Sequence, residues 1–503
     1  MNLLDLLLLL PLAGFLLSFL IPPGHAQMAR LFTLGVSLVT FAAGIVLAAH
    51  YHPGEGPQFV TNMIWVARPE IHYHVAVDGV GLWMIVLSTF LTPLAILASW
   101  TSITRRIRDY FALILLLEFG LIGVFAAYDL FLYYVFWEVS IVPFLFLIGI
   151  WGGYRRSYAA IKFFIYTMAG SVLMLGAMIY IYTRANTFDY AAILDQINSG
   201  RLTFTHLEEQ LLFLGFFAAF AIKGPIFPFH TWLPDFHEQA PGPVSALLLK
   251  MGVFGLIRFC IPLFPGAAHE NASWIVVLGI IGILYGALLA LAETNVMRLI
   301  AYSSVSHVGF MVVGAFSLTQ LGMDGAVYQM INHGISTGGL FLIMAFLAQR
   351  RGSIAIPDFG GIAHRAPGLS TVFLITTLAG IGLPTLNSFV GEYLVLQGAA
   401  QANFRYAVFA AIGVILSACY MLWLYQRLFF GPPPQHRYPD LDVREWLCVA
   451  PLIAMMLWLG IGTVTFLPAI SASTHPMLDE SSRNMPYRVR VNPAAPEVAR
   501  RGD

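Results

Sequence analysis

Apolar runs of about 20 residues, divided by short polar or Gly/Pro-rich stretches, recur along nearly the whole chain. A helix needs about that many apolar residues to cross the hydrocarbon core of a bilayer. Fourteen helical segments are predicted, near 3–21, 28–50, 79–101, 109–127, 130–151, 158–183, 209–238, 243–264, 273–293, 298–317, 322–349, 370–400, 404–429 and 446–469. The first is a leucine run of signal-peptide length. It lacks a basic leading region, carries Asp5 and offers no small-residue cleavage site, so it reads as a retained helix. The tail 471–503, rich in Pro, Arg, Asn and Ser, is expected to lie outside the core.

Two segments are interrupted. Between Phe217 and His237 an apolar run contains Lys223, followed by Gly224, Pro225, Pro228 and Pro234. Residues 376–396, TTLAGIGLPTLNSFVGEYLVL, place Gly382 and Pro384 ahead of Glu392. Proline removes a helix hydrogen bond and clashes with the preceding turn. A lysine at the centre of a membrane helix costs about 2.5–3.5 kcal/mol on insertion scales. Broken backbone at that depth is tolerated where it is buried in protein or lines a wet cavity. The two breaks occupy the seventh and twelfth segments. Five-segment units covering the fourth to eighth and the ninth to thirteenth put them at equivalent positions, and an odd number per unit makes the units inverted. Paired interrupted helices in corresponding halves point to a transporter's site. The predicted architecture is an all-α polytopic membrane protein divided into 1–105, a first repeat at 106–265, a second at 270–430, and a final helix and polar tail at 431–503.

Composition supports this reading and excludes others. Of 503 residues 58% are hydrophobic and 10% charged, against about 25% charged in soluble domains. Net charge is zero, which gives no expectation of nucleic acid. Cys260, Cys419 and Cys448 are scattered, with no disulfide framework or metal spacing. Phosphate-loop, dinucleotide and haem-attachment motifs are absent from the sequence, so neither a cofactor nor a metal is expected in this chain. Arg30; Arg105, Arg106 and Arg108; Arg155 and Arg156; Arg298; Arg350, Arg351 and Arg365; and Arg427, Arg437 and Arg444 fall in alternate loops. The intervening loops hold only Arg68, Arg184, Arg201 and Arg405. The positive-inside rule puts the first set in the cytoplasm and, with an even helix count, both termini outside.

The 26 basic residues include only three lysines, Lys162, Lys223 and Lys250, and all three fall within apolar spans. Lysine, unlike arginine, changes its protonation readily on burial. Glu138 lies well inside the fifth segment and is the expected carboxylate partner of Lys223. Glu118 is a more ambiguous buried acid, and Asp129 reads as a helix cap. Lys162 lies six residues after Arg156 and serves either function or anchoring, since its stem can reach the interface. His307 and His333 occur in consecutive segments beside Ser303, Ser304, Ser306, Asn332, Ser336 and Thr337, predicting a hydrated polar thread. His230 is placed to extend that thread towards the cytoplasm. His237, Asp235 and Glu238 read as its mouth or as a loop, and His72 and His74 as a polar loop pair.

FFIYTMAGSVLMLGAMIYIY, HTWLPDFHEQAP, LLLKMG, RLIAYSSVSHVGF, INHGISTGGLF and GLPTLNSFVGEYL resemble the proton-pumping membrane subunits of respiratory complex I. Mrp-type cation/proton antiporter subunits and membrane-bound hydrogenase subunits are similar. The resemblance covers about residues 80–430. Glutamate at position 392 and the LKMG run look like the M-type branch (chain 4 in mitochondria) rather than the L- or N-type. It implies fourteen helices with two inverted five-helix repeats, and a proton path through Glu138, Lys223, Lys250, His307, His333 and Glu392. It also implies other complex I membrane subunits, L- and N-type, as neighbours within the lipid bilayer of a bacterial cytoplasmic membrane. NADH, flavin, iron–sulfur clusters and quinone would be used in other subunits. The alternative reading is a subunit of an Mrp-type antiporter or hydrogenase-type complex. One departure stands out: Pro241 to Lys250 is about four residues, a little over one turn, shorter than in the family pattern. The expectation is that Lys250 lies closer to cytoplasmic water, with a shortened inlet.

Overall fold

The computed structural model describes residues 2–432, 434 and 436–483. Helices α1 (Leu3–Ser18) and α2 (Ala26–Ala49) lead to a β-hairpin, β1 (Gln58–Val66) and β2 (Ile71–Val77). Then follow α3 (Gly79–Ala98), α4 (Ile107–Ala126), α5 (Leu130–Trp151), α6 (Arg156–Ala185) and the short α7 (Tyr190–Asn198). The seventh expected segment is split into α8 (His206–Lys223) and α9 (Leu233–Gln239). The eighth comprises α10 (Gly242–Ala246), α11 (Met251–Gly255), a π-helical turn Leu256–Cys260 and α12 (Ile261–Leu263). Unbroken α13 (Pro265–Ala292), α14 (Val296–Phe316) and α15 (Gln320–Arg351) come next. The twelfth is split into α16 (Pro367–Gly380) and α17 (Asn387–Ala402), before α18 (Phe404–Phe429), α19 (Val443–Ile461) and α20 (Leu467–Arg483).

Among the described residues, eleven helical spans, counting Gly242–Leu263 as one, are long and apolar enough to cross a membrane, and α1 and α16 are shorter apolar helices. Their ends are set by side chains that satisfy the orphan N–H groups of a first turn. Asp78, Asp129 and Thr319 cap α3, α5 and α15, and Thr205 with Glu208 forms a capping box on α8. The core lies at α10–α12, α14 and α15, whose most apolar windows are 94–100% buried, whereas that of α2 is 28% buried. A helix apolar all round yet exposed on most faces requires an apolar surrounding.

Three features differ from expectation. The stretch holding His72 and His74 is an antiparallel hairpin, paired Thr61 to Val75 and Ile64 to His72. It is held down by a short bond between His74 and Asp189 and by the His72 backbone N–H donating to Asp129. The beginning of the expected tail belongs to α20, with Thr474 fully buried. Residues 484–503 of the tail lie outside the described residues. The eighth segment is not a continuous helix: residues 247–250 leave the helical path.

Candidate functional site

At the first break Pro225 has no N–H to give Ala221. The Ile226 N–H reaches the Ala221 oxygen instead (2.8 Å), and the Trp232 indole N–H donates to the Ile222 oxygen (2.8 Å). These two bonds satisfy the freed Ala221 and Ile222 carbonyls. It leaves Lys223, 3% exposed, at the end of α8. The Lys223 ammonium donates to Ser140 Oγ (3.0 Å) and, at 3.5 Å, faces the Trp137 carbonyl oxygen. It also lies 4.3 Å from the centroid of the Trp137 ring, a cation–π placement. Among the described residues no ion pair within 4 Å joins Lys223 to Glu138, the expected partner, whose charge acts on the Lys223 ammonium from farther away. One residue from Trp137, Glu138 is turned about 100° around the helix and is half-buried beside Tyr134.

Lys162 is anchored rather than aligned with this line. Its ammonium donates to Asp235 Oδ2 (2.6 Å) and to the Thr231 oxygen (2.9 Å). Arg298 joins the same cluster through Asp235, Glu238 and Glu293, each at 3.1 Å. This network clasps α9 from its charged side. The opposite side of α9 carries His237, 1% exposed, stacked on Phe341 at 4.3 Å, with both ring nitrogens unpartnered. His230 stands apart, packed between Phe227 and Tyr285.

Lys250 occupies the position just before α11, without a side-chain capping bond, and is 3% exposed. Together with His237, Ser245, Ser304, His333 and Thr337 it lines a cavity of about 10 Å³, space for about one water molecule. The shortened inlet is therefore not seen. Non-helical backbone covers up to about twice the distance per residue of a helix. Unwinding at 247–250 into short turns lengthens the segment relative to a continuous helix, and Lys250 stays sealed. Beside it, Gly252 and Gly255 let α11 sit directly on α8: a Cβ on Gly252 would meet the Gly224 nitrogen at 2.5 Å.

The second half continues from this cavity. The His333 and His307 rings are 5.9 Å apart. His307 Nδ1 lies 3.4 Å from Glu392 Oε1, and Gln329 Nε2 is also 3.4 Å from that oxygen. Glu392 is 4% exposed. At the second break the Leu383 N–H reaches the Leu378 oxygen (3.1 Å), and Gly382 adopts φ +75°. A Cβ on Gly382 would stand 2.6 Å from Glu392 Oε2, so glycine gives the carboxylate its place. Asn332 Nδ2 donates to the Asn387 oxygen (2.9 Å) and Asn387 Nδ2 to the Asn332 oxygen (3.2 Å), fixing the start of α17 against α15.

The fold thus brings Lys250, His333, His307 and Glu392 into one buried line, with Lys223 on the adjoining helix and Glu138 at the flank. Sequence reasoning left His237 undecided, because a short helix after a break gives no periodicity to reveal its inward face. It missed Arg258, 1% exposed and bonded to Asp78 Oδ1 at 2.6 Å. The signal was present, an ionisable residue in an apolar run, but it was hidden among the loop arginines. Glu118 is fully buried in α4, with Thr92 as its neighbouring hydroxyl.

A family profile described as NADH:quinone oxidoreductase/Mrp antiporter, transmembrane, matches residues 127–418. Subunit M of NADH-quinone oxidoreductase from Rhodobacter capsulatus is 42% identical, covering 92% of this chain and 93% of that relative. The subunit M of Mycobacterium tuberculosis is 39% identical over 91% and 90%, and chain 4 of NADH-ubiquinone oxidoreductase from Marchantia polymorpha 37% over 93% and 95%. A chain of respiratory complex I from Thermus thermophilus superposes with TM-score 0.86 at 31% identity, covering 94% of this chain and 99% of that one. The Mrp complex of Dietzia shares the fold (TM-score 0.81) at 20% identity, over 96% of this chain and 52% of that chain. With a profile across more than half its length and such relatives along nearly all of it, the chain belongs to the NADH:quinone oxidoreductase/Mrp antiporter family of membrane subunits.

Proposed function

We propose that this chain is a proton-translocating membrane subunit of NADH–quinone oxidoreductase, working beside L- and N-type neighbours. Electron transfer, with its NADH, flavin, iron–sulfur clusters and quinone, takes place in other subunits. The observation that carries this reading is the sealed line Lys250–His333–His307–Glu392, extended by His237 and flanked by Lys223. Each member can hold or pass a proton, and the cavity between Lys250 and His333 has room for a bridging water. Glu138 is the station nearest a neighbouring subunit. Lys223 and Lys250 are the central stations, the histidines the relay, and Glu392 the last acid. Lys162 supports α9 from the charged network, and His230 lies beside the route. The chain crosses a bacterial cytoplasmic membrane fourteen times, in two inverted units at 106–265 and 270–430, with both termini on the outer face. The arginine-rich loops then face the cytoplasm and the β-hairpin faces outward. A charge crossing 100 mV costs about 2.3 kcal/mol, so burial of the Lys250–His333–His307–Glu392 line from bulk water is what prevents leak.

The experiment is Lys250→Met in the assembled complex, reconstituted in liposomes. The expected result is a lower ratio of protons pumped per NADH oxidised, with assembly and uncoupled NADH oxidation retained. A wild-type ratio overturns the assignment.

A further inference from the structure

At the hairpin end lies a cavity of about 220 Å³ that the line above does not use. Its floor is the ion pair of Arg258 and Asp78, with side chains only 2% and 8% exposed. Tyr128 and Tyr190 stand in its wall, and Ala472 and Ser473 of α20 lie at its rim. The floor is a built arrangement. Pro262 has no N–H to give the Arg258 carbonyl, four residues earlier, and the Tyr190 hydroxyl donates to that oxygen instead (2.7 Å). The π-helical turn at this point, a feature frequent at functional sites, carries Arg258. Asp78 accepts from Arg258, from the Tyr128 hydroxyl (3.1 Å) and from the Gly81 N–H (2.8 Å).

Between this floor and Lys223 packs a cluster of aromatic side chains, Tyr133, Trp137, Phe220 and Phe259. Tyr133 and Trp137 lie one turn apart on α5, their rings 5.8 Å apart. Tyr133 packs at 4.5 Å on Phe259, the neighbour of Arg258, while Trp137 underlies the Lys223 ammonium. The Tyr133 hydroxyl is fully buried and the Trp137 indole nitrogen belongs to a residue 1% exposed. Both are without a hydrogen-bond partner. An insulating layer does not need such groups, since each unpaired buried polar group costs about 1–3 kcal/mol. The Tyr133 hydroxyl can both accept and donate a proton, and its place between a buried ammonium and an open polar cavity is that of a relay that water completes.

We propose that the Asp78–Arg258 cavity is a second proton outlet, on the outer face, reached from Lys223 through the Tyr133 hydroxyl. The proposal rests on the proton-translocation reading above. The Lys223 ammonium gives one proton to a bridging water and becomes an amine. The Tyr133 hydroxyl takes a proton from that water and surrenders its own towards the Asp78 carboxylate. Asp78 then passes a proton to water in the cavity. Only N–H and O–H bonds change, and the net result is one proton moved from Lys223 to the outer face. While ionised, Asp78 is held by Arg258. Taking up the proton weakens that pair, and giving it away restores it, so the pair acts as the terminal gate.

The test uses the assembled complex in liposomes with Tyr133→Phe, which keeps the ring packing on Phe259 and removes one oxygen. The ratio of protons pumped per NADH oxidised should fall measurably below wild type, with uncoupled NADH oxidation unchanged. A second arm places Ala472→Cys at the cavity rim and adds a membrane-impermeant methanethiosulfonate from the outer side. Pumping should fall in that variant and not in the parent chain, which carries its own three cysteines. Wild-type pumping in Tyr133→Phe, or in the modified Ala472→Cys complex, overturns the outlet. Were Lys250→Met also to pump normally, the translocation reading itself would fail. A pumping loss in Lys250→Met alone removes only the outlet.

Discussion

Gly252→Ala adds one methyl group at the closest crossing in the site. The new carbon would lie 2.5 Å from the Gly224 nitrogen and 2.6 Å from the Gly224 Cα, with the Phe220 carbonyl oxygen nearer still. Ordinary contacts begin at 3.4 Å, so relief of the 2.6 Å approach alone requires α8 and α11 to part by about 0.8 Å. All three neighbours are backbone atoms and have no rotamer to escape into. Overpacking of this kind costs about 1–3 kcal/mol, offset by up to about 1 kcal/mol from alanine's better helix propensity. Lys223 is next to Gly224, and Lys250 is two residues before Gly252, so the displacement falls between the two central lysines. Misplacement of reacting groups by about 1 Å can slow a reaction about a hundredfold. The expected outcome is a complex that assembles, melts slightly earlier, oxidises NADH normally when uncoupled, and pumps fewer protons per NADH. Gly176→Ala is the control, since its Cβ meets nothing within 4 Å. If Gly252→Ala pumps at the wild-type ratio and melts with Gly176→Ala, the crossing does not set the spacing of the lysines.

Gly382→Ala combines an unfavourable left-handed conformation, costing about 1 kcal/mol or more, with displacement of Glu392 Oε2. Its expected effects are reduced pumping and a shifted carboxyl infrared band, and an unchanged band would refute the account of that glycine. Asp129, at the hairpin end before α5, has its carboxyl pushed up to about 6 by burial, against an ordinary 3.8. The folded state therefore binds this proton more tightly than the unfolded state. The resulting stabilisation is full below about pH 3.8 and is lost as pH rises through about 6. Asp129→Asn keeps an N-cap side chain and should flatten the fall in melting temperature across that window. Parallel melting profiles for the two proteins would contradict the assignment.

The extent to which the site was legible varies by residue. The breaks could be read directly, because Pro225 and Pro384 disrupt a helix whatever surrounds them. The buried Lys250, His307, His333 and Glu392 were likewise legible, because a titratable side chain within an apolar run must be enclosed by protein. The local consequences were harder. Unwinding at 247–250 depends on α15 and α8 fixing the two ends of the eighth segment, and apolar composition alone reads there as continuous helix. The β-hairpin escaped notice because it lies between strong helical signals and takes its anchors, Asp129 and Asp189, from distant loops.

The sequence by itself determined the apolar segments, their polarity across the membrane as an expectation, the places where two helices must break, and which ionisable groups lie deep. These follow from one-dimensional facts: the length of an apolar run, a missing proline N–H, the cost of burying charge. Only the tertiary structure decided which groups meet. Lys223 bonded to Ser140 and lay over Trp137, with Glu138 beyond ion-pair distance, His237 faced Lys250 and His333 from the inner side of α9, and Arg258 found Asp78 across 180 residues. The apolar pattern fixes a residue's depth along its helix. The direction in which it points, and the partner it finds, are set by the packing of every helix around it.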